Sequence, residues 1–202
     1  MAYSDFTVQL VKETFGVSFE EGGDYFANVH PVPVSDLLRQ ELKENTALAL
    51  AISSEKARSE LIIMPVLMEV RRQKERQISL FSGVEFSVDP ARGLKGNCDF
   101  LLSLSKEQLA IESPVIAIAE AKREDFTVGF GQCAAEMIAA QIFNQQKNVT
   151  AEMIYGVVTT GNLWRFLRLA GNQIWIDEAE YHIANVEKIV GIILSMLRAT
   201  AS

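Results

Sequence analysis

The stretch GNCDFLLSLSKEQLAIESPVIAIAEAKRED, residues 96–125, holds two short apolar segments joined by a polar one. CDFLLSL (98–104) and PVIAIAEAK (114–122) are brief, rich in bulky or β-branched residues, and bounded by Gly, Asn, Ser or Pro. That pattern predicts buried strands. The second segment ends in Glu120-Ala121-Lys122. Side chains two apart on a strand share a face, so Glu120 and Lys122 point one way while Ala119 and Ala121 point the other, where a helix can pack closely. Burying two charges at the end of an apolar strand costs roughly several kcal/mol unless they are paired or bind something. An acid, Asp99, stands near the start of the first segment. If the two strands run antiparallel or skewed, Asp99 approaches Glu120. Adjacent carboxylates repel, and a hard divalent cation with oxygen ligands resolves that repulsion. A neighbouring lysine can then touch a phosphate or a metal-bound water.

Outward from this stretch, ISLFSGVEFSVD (78–89) alternates as a strand, and residues 90–96, with Pro90, Gly93 and Gly96, read as a hairpin turn. GFGQCAAEMIAAQIFNQQK (129–147) is strongly helical. EMIYGVVTT (152–160), LWRFLRL (163–169) and QIWID (173–177) read as further strands, the last two a hairpin around Gly171-Asn172. Towards the N-terminus, 4–15 predicts a short helix capped by Ser4 or Asp5, and 16–34 reads as irregular. Ser35 caps SDLLRQELKENTALALA, and Ser53 or Ser54 caps SEKARSELIIMPVLMEVRRQ, where Pro65 predicts a kink. NVEKIVGIILSMLRA (185–199) is an apolar closing helix, its stripe Val186, Ile189, Val190, Ile193 and Leu197 suited first to a core and second to a dimer face. The expectation is an α/β domain around a mixed sheet, helix then three strands then helix then more strands, spanning 1–202 as one domain.

Composition narrows the function classes. The 202 residues are 49% apolar and 22% charged, ordinary for a globular chain large enough for one sizeable core. No run approaches the ~18 apolar residues of a membrane helix; the longest, Leu61–Met68, contains Pro65. MAYSDFTVQL shows no basic-then-apolar signal pattern. Cys98 and Cys133 have no metal spacing and predict reduced core thiols, hence a cytoplasmic location. The net charge of −7 argues against coating nucleic acid by bulk electrostatics. Local contact with a phosphate backbone, helped by a cation, remains open.

An acid on one strand followed by acid-x-Lys on the next resembles the PD-(D/E)XK nuclease superfamily. The matching residues are GNCDFLL with Asp99 and IAEAK with Glu120 and Lys122, the two acids 21 residues apart. Cys98 stands where the motif's proline would be. A preceding helix acid is offered by Glu55 or Glu60 in SEKARSELIIMPVL. Glu60 has the slightly better place in the pattern, while Glu55 with Arg58 and Pro65 resembles the helix of N-terminal nuclease domains of type I restriction subunits. Gln132 in GFGQCAAEM, with Glu136 one turn on, matches the helix glutamine common in the superfamily. The resemblance covers about residues 54–170.

It implies a restriction-endonuclease-like core at about 54–180, with an N-terminal helical extension over 1–53 and the C-terminal helix outside it. It also implies a metal-dependent nuclease hydrolysing phosphodiester bonds, DNA favoured, with Asp99 and Glu120 holding Mg²⁺ or Mn²⁺. Lys122 would orient water or stabilise charge, and Gln132 and the helix acid would complete the site. The product would carry a 5′-phosphate. The competing expectation is a non-catalytic or partner-dependent nuclease-fold module, homodimeric in one version. Taken singly, each residue has a plainer use: Glu120–Lys122 as a surface ion pair, Asp99 as a turn residue, Glu55 or Glu60 as solvated helix positions. The ordered set carries the argument. Arg71, Arg72, Lys74 and Arg76 suit a helix C-terminus first and phosphate contact second. His30 and His182 have no partner suggesting a triad.

Overall fold

The short apolar segments at 79–85, 97–103, 115–121, 154–159, 163–170 and 173–177 become strands, and all join one sheet. The computed structural model describes residues 1–122 and 126–197. Its strands are β1 (Ser18–Gly23), β2 (Ser79–Glu85), β3 (Asn97–Ser103), β4 (Val115–Ala121), β5 (Ile154–Thr159), β6 (Leu163–Ala170), β7 (Gln173–Asp177) and β8 (Tyr181–His182). They lie in the order β1-β7-β6-β5-β4-β3-β2, with β8 also pairing β6. β4 and β5 are parallel, as are β1 and β7; the remaining pairs are antiparallel. A parallel pair needs a crossover, and α5 (Phe126–Gln146) lies between β4 and β5 in the chain. The architecture is therefore α/β, a mixed central sheet flanked by helices. Among the described residues no helix is long and apolar enough to cross a membrane.

Two apolar clusters mark the two faces. One joins the sheet to α2 (Asp36–Ile52), α4 (Met64–Gln73) and α6 (Val186–Met196). The other joins it to α1 (Val8–Phe15) and α5. The strand-end alanines behave as their size dictates: Ala117, Ala119 and Ala121 are buried in the same cluster as Ile62, Ile63 and Val66. α5 is buried without a break from Gly129 to Ala140, because the sheet covers one side and the N-terminal segment the other. Gly131 makes the second contact possible, since a Cβ there would stand 2.3 Å from the Phe6 carbonyl oxygen.

The differences from expectation have local causes. Residues 18–23 are not irregular: SFEEGG is a poor strand sequence, yet it pairs along β7 as an exposed edge. α1 starts at Val8 because Thr7 caps it, accepting from the Leu10 N–H, while Tyr3–Asp5 forms a separate 3-10 turn. Ser53, left-handed at φ 55°, ends α2, and Ser54 caps α3 (Glu55–Arg58). Pro65 is absorbed by a π turn at Ser59–Ile63 that precedes it. β8 is too short to announce itself by periodicity. The α6 stripe (Val186, Ile189, Val190, Ile193, Leu197) is buried in the core, so it is not available as a dimer face. Residues 198 and 199 of the expected helix lie outside the described residues.

Glu69 ties α4 to the start of α2. It is 2% exposed and accepts from the Ser35 N–H (2.9 Å), the Ser35 hydroxyl (2.7 Å) and Gln73 (3.0 Å), with Arg72 at 3.1 Å. Burial alone would raise its carboxyl, but these donors outweigh it and hold the group below its ordinary value. Glu69→Ala is expected to cost about 2–3 kcal/mol in urea unfolding, since it strands several donors at once.

Candidate active site

The register Phe100↔Ala119 between antiparallel β3 and β4, continued by one pair, brings Asp99 opposite Glu120. Asp99 Oδ2 accepts the Ala121 N–H at 2.9 Å, which fixes the carboxylate across the strand end. Lys122 lies just beyond β4, its backbone N–H held at 2.8 Å by the Thr159 carbonyl of β5. Its Nζ meets Glu120 Oε1 at 2.6 Å and donates to Gln132 Oε1 at 3.0 Å. Gln132 Nε2 in turn donates to Glu136 Oε1 at 3.1 Å. The strand end thus runs by hydrogen bonds into α5. Gly129 makes room for the lysine: a Cβ there would lie 2.4 Å from Val158 Cγ1 and 3.0 Å from Lys122 Cγ. Gly129→Ala is expected to melt below the wild type, because an overpacking cost of about 1–3 kcal/mol exceeds the roughly 1 kcal/mol gained in helix propensity.

A cleft of about 300 Å³ opens over Asp99, walled by Glu55, Ser59 and Glu60 on one side and Ser82 and Gly83 of β2 on the other. Both helix glutamates therefore border the site, but they are differently engaged. The charge of Glu55 reaches Asp99, Glu120 and Lys122. The Glu60 carboxylate forms an exposed ion pair with Lys56 at 3.0 Å. Glu55 opens α3, where the helix dipole favours an acid. One turn on, buried Arg58 donates to the Thr160 carbonyl at 2.7 Å. The neighbouring carbonyls of Thr159 and Thr160 thus hold Lys122 and the helix that carries Glu55.

The electrostatics follow from burial and crowding. Asp99 is raised by burial, against the Ala121 N–H and Lys122, with Glu55 adding to the rise. Glu120, 1% exposed, is pushed up to about 8 by burial and by Asp99, while Lys122 opposes the shift. Burial would lower the Lys122 ammonium, but Glu120 beside it turns the net shift upward. Glu136, wholly buried, rises well above its ordinary value through burial and through Glu120. Among the described residues, one oxygen each of Glu120 and Glu136 is buried without a hydrogen-bond partner.

Among the described residues no three His, Cys, Asp or Glu side chains group as a self-sufficient metal cage. A small hard cation is commonly held by one or two carboxylates, with water and phosphate oxygens supplying the rest. Asp99 and Glu120 offer that pair, and Glu120 Oε2 has no hydrogen-bond partner among the described residues, while Oε1 of the same carboxylate meets the Lys122 ammonium. Cys98 and Cys133 are buried free thiols, raised by burial. His182 accepts from the Ala184 N–H as a cap, and His30 is exposed in its loop. In the basic cluster, Arg71 donates to the Ile78 carbonyl, Arg72 pairs Glu69, and Lys74 donates to the Leu197 carbonyl.

No protein-family model matches this chain, and no curated protein does. The site's meaning therefore rests on its own geometry. Sequence reasoning did not find Gly129, nor the carbonyls of Thr159 and Thr160. The glycine within a helical run was the one signal that pointed to a close approach.

Proposed function

We propose that the chain has a restriction-endonuclease-like fold and is a metal-dependent nuclease that hydrolyses phosphodiester bonds, DNA being the favoured substrate. The observation that carries this reading is the meeting of Asp99 and Glu120 across adjacent strand ends, with Lys122 Nζ 2.6 Å from Glu120 and Glu55 facing the same cleft. Asp99 and Glu120 would hold Mg²⁺ or Mn²⁺. When bound, the ion polarises the phosphate and acidifies water. Lys122, paired with Glu120 at the strand end, would stabilise charge developing on a phosphate oxygen. Gln132 keeps the ammonium at the strand end, and Glu55 supplies an acceptor across the cleft that can orient a water.

The test is Mg²⁺- or Mn²⁺-dependent cleavage of single-stranded, duplex and branched DNA and of RNA, with Asp99→Ala and Lys122→Ala beside the wild type. Products from the wild type alone support the reading and name the substrate class. No products and no metal binding by calorimetry would sink it. A second reading is favoured by the engagement of Glu120 Oε1 by Lys122, which competes with an ion for that oxygen. In it the chain is a partner-dependent or non-catalytic module of the same fold. Metal binding that Asp99→Ala abolishes, without turnover, would favour it.

A further inference from the structure

Glu136 is a buried acid that the proposed chemistry does not use. It is 0% exposed on α5, in a stretch of the helix buried from Gly129 to Ala140, and its Oε2 has no hydrogen-bond partner among the described residues. An acid in that position is a burden on the fold. Its Oε1, however, receives the Gln132 amide at 3.1 Å, and the opposite end of that amide receives Lys122 at 3.0 Å. An ammonium only donates, whereas a glutamine amide has an accepting oxygen on one side and a donating nitrogen on the other. With its oxygen towards Lys122, the nitrogen must point at an acceptor. After a half-turn of the amide, nitrogen would face ammonium and oxygen would face a carboxyl oxygen, two repulsive contacts in a buried place. A neutral Glu136 still offers a carbonyl oxygen to the Gln132 nitrogen, and its hydroxyl relieves only the carboxyl side of a turned amide, which leaves nitrogen against ammonium at Lys122.

We infer that Glu136 is a positioning residue that fixes the amide orientation of Gln132 and so keeps Lys122 at the strand end. The consequence for turnover rests on the nuclease reading; the amide orientation does not. A purely structural Glu136 and a positioning one differ in sign. Removing a burdensome buried acid leaves stability the same or higher, yet it should loosen Lys122.

The experiment uses the full chain without substrate. In the wild type, the Gln132 side-chain amide protons should show nuclear Overhauser contacts to the Glu136 side chain. Contacts from those protons to the Lys122 ε-methylene instead would overturn the inference, whatever the variants do. Glu136→Leu should raise the acetylation rate of Lys122, read by mass spectrometry, by about tenfold, matching one lost buried hydrogen bond. Glu136→Gln, which can offer its own amide oxygen, should stay within about twofold of the wild type. Equal Lys122 reactivity in the wild type and Glu136→Leu would overturn the inference. If wild-type protein cleaves nothing, the nuclease reading fails, while the labelling and the nuclear Overhauser contacts still decide the role of Glu136.

Discussion

Asp99→Ala and Lys122→Ala are each expected to lower metal-dependent cleavage by about 10²–10⁴-fold, for different reasons. Asp99 supplies one of two facing carboxylates, so its loss should weaken Mn²⁺ binding together with turnover. The fold should tolerate it. The change removes one acceptor, for the Ala121 N–H, but also removes a charge that crowds buried Glu120. Lys122→Ala should behave in the opposite way towards metal. It frees Glu120 Oε1, so ion affinity is kept or improved while turnover falls. Removing one partner of a buried ion pair usually costs about 3–5 kcal/mol. Here Glu120 can take up a proton instead, because burial already favours its neutral form. Single-turnover rates and calorimetric Mn²⁺ titrations of both variants separate the two roles. Either variant cleaving within about threefold of the wild type would remove its residue from the mechanism.

The β3–β4 pairing was legible because both segments are apolar, short and sharply bounded, so period and length agree on strand. The alanines pointed to a helix packed on their face, and Ala117, Ala119 and Ala121 share one buried cluster with Ile62, Ile63 and Val66. β1 was not legible: SFEEGG has charges and glycines where strands have β-branched residues, and pairing with β7 overrides that propensity. The helix acid was not legible either. Residues 55 and 60 sit about 140° apart on a regular helix, and the π turn at Ser59–Ile63 alters that phase further. What separates them is tertiary: Arg58 docks on Thr160 and turns Glu55 to the acids, while Lys56 engages Glu60 outside. The path through Gln132 to Glu136 was half visible. Four-residue spacing places both on one helix face, but only the fold shows that this face is the one beneath Lys122.

Without divalent metal, the protein is expected to lose stability as pH rises from 6.0 to 8.5. Asp99, Glu120 and Glu136 all sit above their ordinary values in the folded state, Glu120 at about 8 against 4.5. A group raised on folding stabilises fully below its unfolded value, and that stability is lost as pH climbs through the folded one. Between those limits the folded protein holds protons that the unfolded chain has released, so each step up in pH favours unfolding. Glu69 has the opposite sign, but it acts below its ordinary range and leaves this window untouched. Lys122 is raised from 10.5 and also stays outside the window. The total loss should be on the order of a few kcal/mol, measured by urea unfolding in EDTA. Glu120→Gln, which has no charge to bury, should make the profile less steep, with Asp99 and Glu136 supplying the slope that remains. A wild-type profile as flat as that of Glu120→Gln would show that Glu120 is not held neutral by the fold. Metal should reverse the trend, because a cation competes with the same protons. Mn²⁺ at about 100 times its dissociation constant adds about 2.7 kcal/mol. If that concentration is set from the dissociation constant at pH 8.5 and kept for pH 6.0, the gain should be smaller at 6.0, and it should vanish in Asp99→Ala. A gain of equal size at both pH values, or one that survives Asp99→Ala, would place the ion somewhere other than between Asp99 and Glu120.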